Sequence, residues 1–191
     1  MKKRSTNCQK KNKTIKMNSF FKLIQQRRST RKYTDELLKP EHVESILKAA
    51  LMSPSSKNKK PWQFIAIEDK ELLTKLALCK AAGSKPLESC VFAVVVVADT
   101  LMSDVWIEDA SIASTMMILQ AEDLGIGSCW IQIRERFTKD EESSDLFIKD
   151  ILDVPLQYQV LSIITFGFKA KENQPFNEEN LQWEKIHINK F

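Results

Sequence analysis

Glycine is scarce in this sequence, which has only four glycines among 191 residues: Gly83, Gly125, Gly127 and Gly167. A dinucleotide-binding fingerprint and a P-loop each need several glycines at short, fixed spacings, because the backbone there turns tightly and approaches a phosphate closely. Neither motif can be built from these four positions. The sequence therefore excludes both of these glycine-rich nucleotide sites.

Side chains for acid, base or metal chemistry are also few. The two histidines are His42, at the start of a charged helix pattern, and His187, near the C-terminus. No Gly-x-Ser-x-Gly motif accompanies them, so a hydrolytic triad has no support. The cysteines form no Cys-x-x-Cys pair and show no zinc-site spacing; they are Cys8, Cys79, Cys90 and Cys129. We predict no metal site, and an enzyme with so few reactive groups must take its reactivity from a cofactor.

The sequence lacks a long hydrophobic run. Its longest wholly apolar stretch, residues 90–98, is far shorter than the roughly 20 residues that a membrane-spanning helix needs. The N-terminus also lacks the apolar stretch of a secretory signal. Cysteines beside apolar patterns suit buried thiols in a reducing compartment. We predict a soluble, cytoplasmic protein with no membrane partner.

The small positive charge, 29 basic against 25 acidic residues, comes from the N-terminus. Residues 1–16 contain seven basic side chains and no acidic one, which leaves 22 basic and 25 acidic residues in the remainder. A cationic face for nucleic acid is therefore unsupported, and we predict no nucleic-acid partner. We interpret residues 1–18 as a basic, disordered extension and residues 19–191 as one folded domain.

Helix and strand patterns alternate after residue 19 without a regular repeat. Helices are predicted to begin near Phe20, at Pro40 and after Asp69, and to cover residues 104–124 and 146–152. Strands are predicted at 62–67, 91–98, 128–133 and 160–168. The apolar run at 91–98 is typical of a strand buried on both faces, which requires helices above and below the sheet. We predict an α+β protein built as a three-layer α-β-α sandwich, rather than a doubly wound parallel sheet.

Two polar segments carry groups that suit an anionic cofactor. Arg27-Arg28-Ser29-Thr30-Arg31 follows the first helix and offers guanidinium groups and hydroxyls of the kind that hold a phosphate monoester. Residues 53–62, Ser-Pro-Ser-Ser-Lys-Asn-Lys-Lys-Pro-Trp, form a polar loop between a helix and a strand. Taken alone, the first segment is better explained as a solvated basic helix end, and the second as an ordinary connector.

In this order and spacing, however, the two segments resemble the FMN-dependent nitroreductase family. There the first motif reads Arg-x-Ser-x-Arg/Lys, and the second reads Ser-Pro-Ser-x-x-Asn-x-Gln-Pro-Trp before a strand. The resemblance continues through the buried strand, the long helix, Leu-Gly-Ile-Gly-Ser-Cys-Trp-Ile at 124–131 and the last strand, over about residues 19–170. It implies the family's sandwich with a mixed, mainly antiparallel sheet, an FMN cofactor, and NADH or NADPH as electron donor.

The resemblance also implies roles for individual residues. Arg27, Arg28 and Ser29 would hold the phosphate end of FMN, and Arg31 would lie near flavin N1 and O2, where a fixed cation favours the reduced, negatively charged ring. A loop from the other subunit of a homodimer would also contact this flavin, through Pro54, Ser55, Ser56 and Asn58. The ring edge would meet the segment of Trp130, Ile131 and Gln132, with the main chain of the last two favoured over the Trp130 side chain, and Lys85 would approach a ring carbonyl.

This sequence departs from the family pattern in two places. The family's Gln-Pro-Trp is Lys60-Pro61-Trp62 here, and the late arginine that completes the phosphate site in many relatives is missing after Gly167. Lys169 or Lys171 is expected to replace it as a point charge, and we assign Lys171 to the cofactor site. The C-terminal segment 170–191 is expected to pack on the dimer partner, with folding back onto its own subunit as the alternative.

The implied reaction is ping-pong. NADH or NADPH delivers hydride to flavin N5, and a nitroaromatic, quinone or related small acceptor then takes it, with no obligatory side-chain acid or base. Two alternatives stay open: a specialised relative such as a dehalogenase or an enone- or flavin-processing enzyme, and a flavin-binding protein without turnover.

Overall fold

The computed structural model describes residues 19–191, so the extension predicted at residues 1–18 lies outside the described residues. The α-helices are α1 Ser19–Gln26, α2 Pro40–Leu51, α3 Lys70–Leu76, α4 Pro86–Ser89, α5 Trp106–Asp123 and α6 Ser144–Leu152. The strands are β1 Trp62–Ile67, β2 Phe92–Asp99, β3 Gly127–Gln132 and β4 Tyr158–Gly167. Short 3-10 turns cover Ser56–Asn58, Glu178–Asn180 and Trp183–Lys185.

The four strands form one sheet in the order β1-β2-β4-β3, and all three pairings are antiparallel. Within residues 19–191 the parallel component is one isolated bridge between Ser29 and Ser128, which explains how a mainly antiparallel sheet acquires a mixed edge. β3 lies at the edge of the sheet, and its outer side faces the segment that follows α1.

Helical layers cover both faces of the sheet. Alternate residues of β2 point to opposite faces: Val95 packs in the cluster that includes Leu73 and Ile148 from α3 and α6. Val96 packs in the cluster that includes Ile46 and Met117 from α2 and α5. Because β2 is buried on both sides, the prediction of a three-layer α+β sandwich is confirmed.

The helix ends follow the predicted local chemistry. Asp69 caps α3 by accepting a hydrogen bond from the Leu72 N–H at 2.8 Å, and Pro40 occupies the first turn of α2. The four-residue helix α4 was not predicted, because it is too short to show a periodic pattern. None of the helices in residues 19–191 combines the length and the apolar composition that crossing a membrane requires.

Candidate cofactor site

The segment after α1 lies along the outer edge of β3. The Thr30 N–H donates to the Ser128 carbonyl at 2.8 Å, and four residues later the Thr34 N–H donates to the Phe168 carbonyl at 2.9 Å. Between them the buried Tyr33 side chain is hydrogen-bonded to the Thr165 hydroxyl at 2.7 Å. These bonds fix the main chain from residue 30 to residue 34 and so fix the direction of the flanking Ser29 and Arg31 side chains.

Two glycines allow this close approach. A methyl group added at Gly127 would lie 2.7 Å from the Thr30 hydroxyl oxygen, and one at Gly167 would lie 2.9 Å from the Tyr33 ring. Both distances are below the ordinary contact distance between non-bonded atoms. Two of the four glycines are therefore required for packing the candidate phosphate-binding segment against the sheet.

Three predicted site residues meet at one cavity. It has a volume of about 200 Å³, and its lining comprises Ser29, Thr30, Arg31, Lys32, Lys171 and Asn173. This lining has three cations, two hydroxyls and an amide, and no acidic side chain. Such a donor set suits a phosphate monoester, whose oxygens accept hydrogen bonds and carry negative charge.

The structure distinguishes the two lysines that follow β4. Lys169 donates from its ammonium group to Glu122 Oε1 at 2.8 Å, and the exposed fractions of the two side chains are only 11% and 6%. Lys169 therefore forms a largely buried ion pair with Glu122 on α5. Lys171 lines the cavity with Ser29 and Arg31.

Arg28 and Arg27 are both half-buried at the end of α1. The Arg28 guanidinium carbon lies 5.9 Å from the centre of the Phe176 ring, an arrangement typical of a cation–π contact. Phe176 is itself held by a hydrogen bond from its N–H to the Gln25 carbonyl at 2.8 Å. The chain after β4 thus returns to α1 and holds one of the predicted phosphate-binding arginines.

Lys80 is a residue that the sequence did not indicate, and its charge acts on the buried Cys129 thiol together with two of the predicted arginines. Burial raises the pKa of the Cys129 thiol on β3, and the positive charges of Arg31, Lys80 and Arg27 oppose that rise. Lys80 follows α3 at the end of an apolar pattern, where nothing in the sequence separates it from an ordinary surface lysine. Burial also lowers the pKa of Lys80 itself.

Lys85 is exposed and lies apart from the other predicted site residues. It precedes α4 and lines a different cavity, of about 350 Å³, together with Lys80 and the turn at residues 138–142. No other predicted cofactor-binding residue lines that cavity. Of the two lysines, Lys80 is the one whose positive charge, like that of Arg31, opposes the rise in the pKa of the Cys129 thiol.

The predicted cross-subunit loop has an unusual backbone. Lys57, Asn58 and Lys60 have φ angles of 51°, 55° and 51°, in the left-handed region that residues other than glycine seldom adopt. The Ser55 hydroxyl accepts a hydrogen bond from the Lys60 N–H at 2.9 Å, which closes the loop. Ser56 donates its N–H to the Asp109 carboxylate at 2.7 Å.

This loop does not reach the cavity of Ser29 and Lys171 in the same chain. The lining of that cavity contains none of the four predicted loop contacts, Pro54, Ser55, Ser56 and Asn58. A single chain therefore holds the two predicted halves of the site in different places.

The third predicted contact, the Trp130–Gln132 segment, lies on β3. Because the Ser128 carbonyl faces outward to Thr30, the strand alternation turns the main-chain groups of Trp130 and Gln132 outward and those of Ile131 towards β4. The side chains of Trp130 and Gln132 bind each other, with the indole N–H donating to the amide oxygen at 3.0 Å. The main-chain groups that face outward at this edge are therefore at positions 130 and 132, and the Trp130 carbonyl accepts a hydrogen bond from the Cys129 thiol at 3.7 Å.

Metal chemistry has no obvious centre in the described part of the chain. No group of three or more His, Cys, Asp or Glu side chains there is arranged to hold an ion. Cys79, Cys90 and Cys129 are buried and unpaired.

Comparison with known proteins gives consistent matches. A model of the nitroreductase family matches residues 24–86 and 92–168. A protein of Archaeoglobus fulgidus, provisionally named NADH dehydrogenase/NAD(P)H nitroreductase, is 33% identical over 92% of this chain and 100% of its own length. The solved structure of an FMN-dependent nitroreductase from Clostridium difficile R20291 superposes with a TM-score of 0.87 at 43% identity, covering 89% of this chain and 99% of that one. An iodotyrosine deiodinase from Haliscomenobacter hydrossis is 27% identical over 47% of this chain and 36% of its own.

Proposed function

The chain belongs to the nitroreductase family, and from this we propose that it binds FMN and uses NADH or NADPH to reduce a small acceptor such as a nitroaromatic or a quinone. The observation that carries the proposal is the cavity where Ser29, Arg31 and Lys171 meet without an acidic neighbour in the lining. Its donors suit the phosphate of FMN, and the family resemblance identified from the sequence is confirmed by the family match.

The chain's own residues would bind and orient the cofactor. Ser29 and Lys171 would hold the phosphate, with Arg28 fixed beside them by Phe176. Arg31 would supply a fixed positive charge next to the ring. FMN, when bound, supplies a ring that takes two electrons as hydride from the nicotinamide and passes them to the acceptor.

We propose further that the active unit is a homodimer. The supporting observation is that residues 53–60 lie away from the cavity of their own chain, so they are available to the site of a partner. In this arrangement each flavin is bound by the phosphate-binding residues of one subunit and by the loop of the other.

The C-terminal segment supports the same dimer. Asn173 and Phe176 are hydrogen-bonded to Thr30 and Gln25 of their own chain, so within the predicted segment 170–191 we propose that residues 181–191 contact the partner. That stretch exposes large apolar side chains: Leu181, Trp183, Ile186, Ile188 and Phe191. An apolar hollow of about 290 Å³ is lined mainly by Phe20, Leu23, Ala49, Met52, Met116 and Leu119. We expect this hollow to receive the segment from the partner subunit.

Steady-state turnover tests the activity. The purified protein loaded with FMN is mixed with NADH or NADPH and with a nitroaromatic, a quinone or no acceptor, and nicotinamide oxidation is followed by absorbance. We expect acceptor-dependent oxidation that is lost without FMN. Saturable FMN binding with no nicotinamide oxidation would instead indicate a flavin-binding protein without turnover.

Reductive dehalogenation is a second candidate, favoured by the similarity to the iodotyrosine deiodinase. Halogenated phenols belong in the acceptor panel for this reason. Release of halide at a higher kcat/KM than nitroaromatic reduction would favour the dehalogenase over the general reductase. The buried, unpaired thiols also lead us to propose a reducing, cytoplasmic location.

A further inference from the structure

Asp109 is a buried carboxylate that the proposed chemistry does not use. It lies in the first turn of α5 with 3% of its surface exposed. Its two oxygens accept hydrogen bonds from the Ser56 N–H at 2.7 Å and from the Ser103 hydroxyl at 3.2 Å. None of the ion pairs found in residues 19–191 includes it. Burying a carboxylate without a cation is costly, so its hydrogen bonds are the interactions that offset this cost.

The bond to Ser56 anchors a strained loop. Residues 54–60 are linked among themselves by main-chain bonds from Asn58 to Ser55 and from Lys59 to Ser56, each 3.0 Å long. Among the described residues, the Ser56–Asp109 bond is the one hydrogen bond that joins this stretch to another element. A loop with three left-handed residues keeps such a conformation when its surroundings hold it there.

We infer that Asp109 is a positioning residue: it holds the 54–60 loop in the shape in which Pro54, Ser55 and Asn58 meet the flavin of the partner subunit. This inference rests on the proposed function, and Asp109 itself does not touch the cofactor. Its consequence is that a substitution on α5 of one subunit changes FMN binding in the site of the other.

The first test compares FMN affinity among variants by titration of the apoprotein. Asp109→Ala removes both hydrogen bonds, and we expect FMN to bind about 10- to 100-fold more weakly, the usual range for losing a charge-assisted bond. Asp109→Asn keeps an oxygen for the Ser56 N–H and an N–H for the Ser103 hydroxyl, so we expect affinity within about threefold of wild type. This rescue distinguishes positioning through hydrogen bonds from a need for the charge.

Three further variants separate the inference from general destabilisation. Asp69→Ala removes a similar carboxylate bond, to the Leu72 N–H at 2.8 Å, and should lower thermal stability while leaving FMN affinity unchanged. Ser56→Pro removes the donating N–H together with the Ser56 hydroxyl, so Ser56→Ala, which removes the hydroxyl alone, is its control. The preceding Ser55 is already extended, as a residue before proline prefers (φ −144°, ψ 156°). Ser56→Pro should bind FMN about tenfold more weakly than Ser56→Ala even if Asp109→Ala cannot be purified.

A mixed dimer tests the action across subunits. One chain carries Asp109→Ala and the other Arg31→Ala, and the mixed species is isolated through two different affinity tags. If the loop serves the partner's flavin, one of the two sites has both halves intact, and the dimer binds one FMN with wild-type affinity. If the loop serves its own subunit, both sites are damaged and no wild-type site remains, which overturns the cross-subunit assignment.

The outcomes separate this inference from the proposed function. Failure of the wild-type protein to bind FMN contradicts the proposed function. Wild-type binding with unchanged affinity in both Asp109→Ala and Ser56→Pro contradicts only the role of Asp109.

Discussion

Replacing Gly127 with alanine puts a methyl group where Thr30 already lies. The added carbon would be 2.7 Å from the Thr30 hydroxyl oxygen and 2.8 Å from its Cβ and Cγ2. Since carbon atoms in contact are normally about 3.5–4.0 Å apart, β3 and the Thr30 segment must separate by roughly 0.7 Å or more. This movement strains the Thr30–Ser128 hydrogen bond and shifts Ser29 and Arg31 relative to Lys171.

We expect two measurable effects of Gly127→Ala. Overpacking of this kind costs about 1–3 kcal/mol, which lowers Tm by roughly 3–10 °C in a domain of this size. Loss of alignment at the phosphate site should weaken FMN binding about tenfold, equivalent to about 1.4 kcal/mol. Differential scanning fluorimetry of the apoprotein measures the first effect, and FMN titration measures the second.

Gly125→Ala is the matched control. Gly125 has a φ of 74°, so alanine there costs about 1–2 kcal/mol in backbone strain, but no atom lies within 4 Å of the added methyl group. The stability of Gly125→Ala should fall by about as much as that of Gly127→Ala, while its FMN affinity stays that of wild type. If Gly127→Ala is destabilised and still binds FMN within twofold of wild type, the reasoning that links this packing to the cofactor site is wrong.

Three other predictions address different parts of the molecule. Lys171→Met should weaken FMN binding with little change in stability. Lys169→Met should instead cost about 3–5 kcal/mol of stability, because it leaves the Glu122 carboxylate buried and unpaired. Denaturant unfolding and FMN titration of both variants check these two expectations. Burial raises the pKa of the Cys90 thiol to about 12, so the folded state keeps a thiol proton that the unfolded state loses above pH 9. The free energy of unfolding should therefore fall by up to about 1.4 kcal/mol per pH unit between pH 9 and 12. Urea unfolding of wild type and Cys90→Ala across that range should show the shallower slope in the variant. Deleting residues 181–191 should raise the dimer dissociation constant and release FMN on dilution; sedimentation velocity showing an unchanged dimer would contradict the tail contact.

The strands were predictable because their patterns are local. The bounds of β1 agree with the predicted 62–67, and β2 differs from the predicted 91–98 by one residue at each end. Alternation and apolar runs report burial directly, so one strand buried on both faces was enough to predict the layers. The short helix α4 has no such pattern.

The physical reason for preferring Lys171 over Lys169 was not visible in the sequence. It depends on Glu122, which lies 47 residues away along the chain and meets Lys169 only after β4 and α5 have packed. Lys80 is a similar case, because its charge and that of Arg31 act on the same Cys129 thiol only in the folded chain.

Asp109 was hidden for a different reason. An acidic residue in the first turn of a helix is expected from the helix dipole alone, so the sequence gives it an ordinary explanation. Its partner, the main chain of Ser56, carries no side-chain signal. Main-chain contacts of this kind become visible only in the folded chain.

Titration of the purified protein with FMN, followed by visible absorption at known protein concentration, tests the central claim most directly. We predict saturable binding of one FMN per chain in a homodimer, loss of affinity in Arg31→Ala and Lys171→Met, and bleaching of the flavin absorption when NADH or NADPH is added without oxygen. A protein that stays colourless and shows no saturable FMN binding would contradict the account.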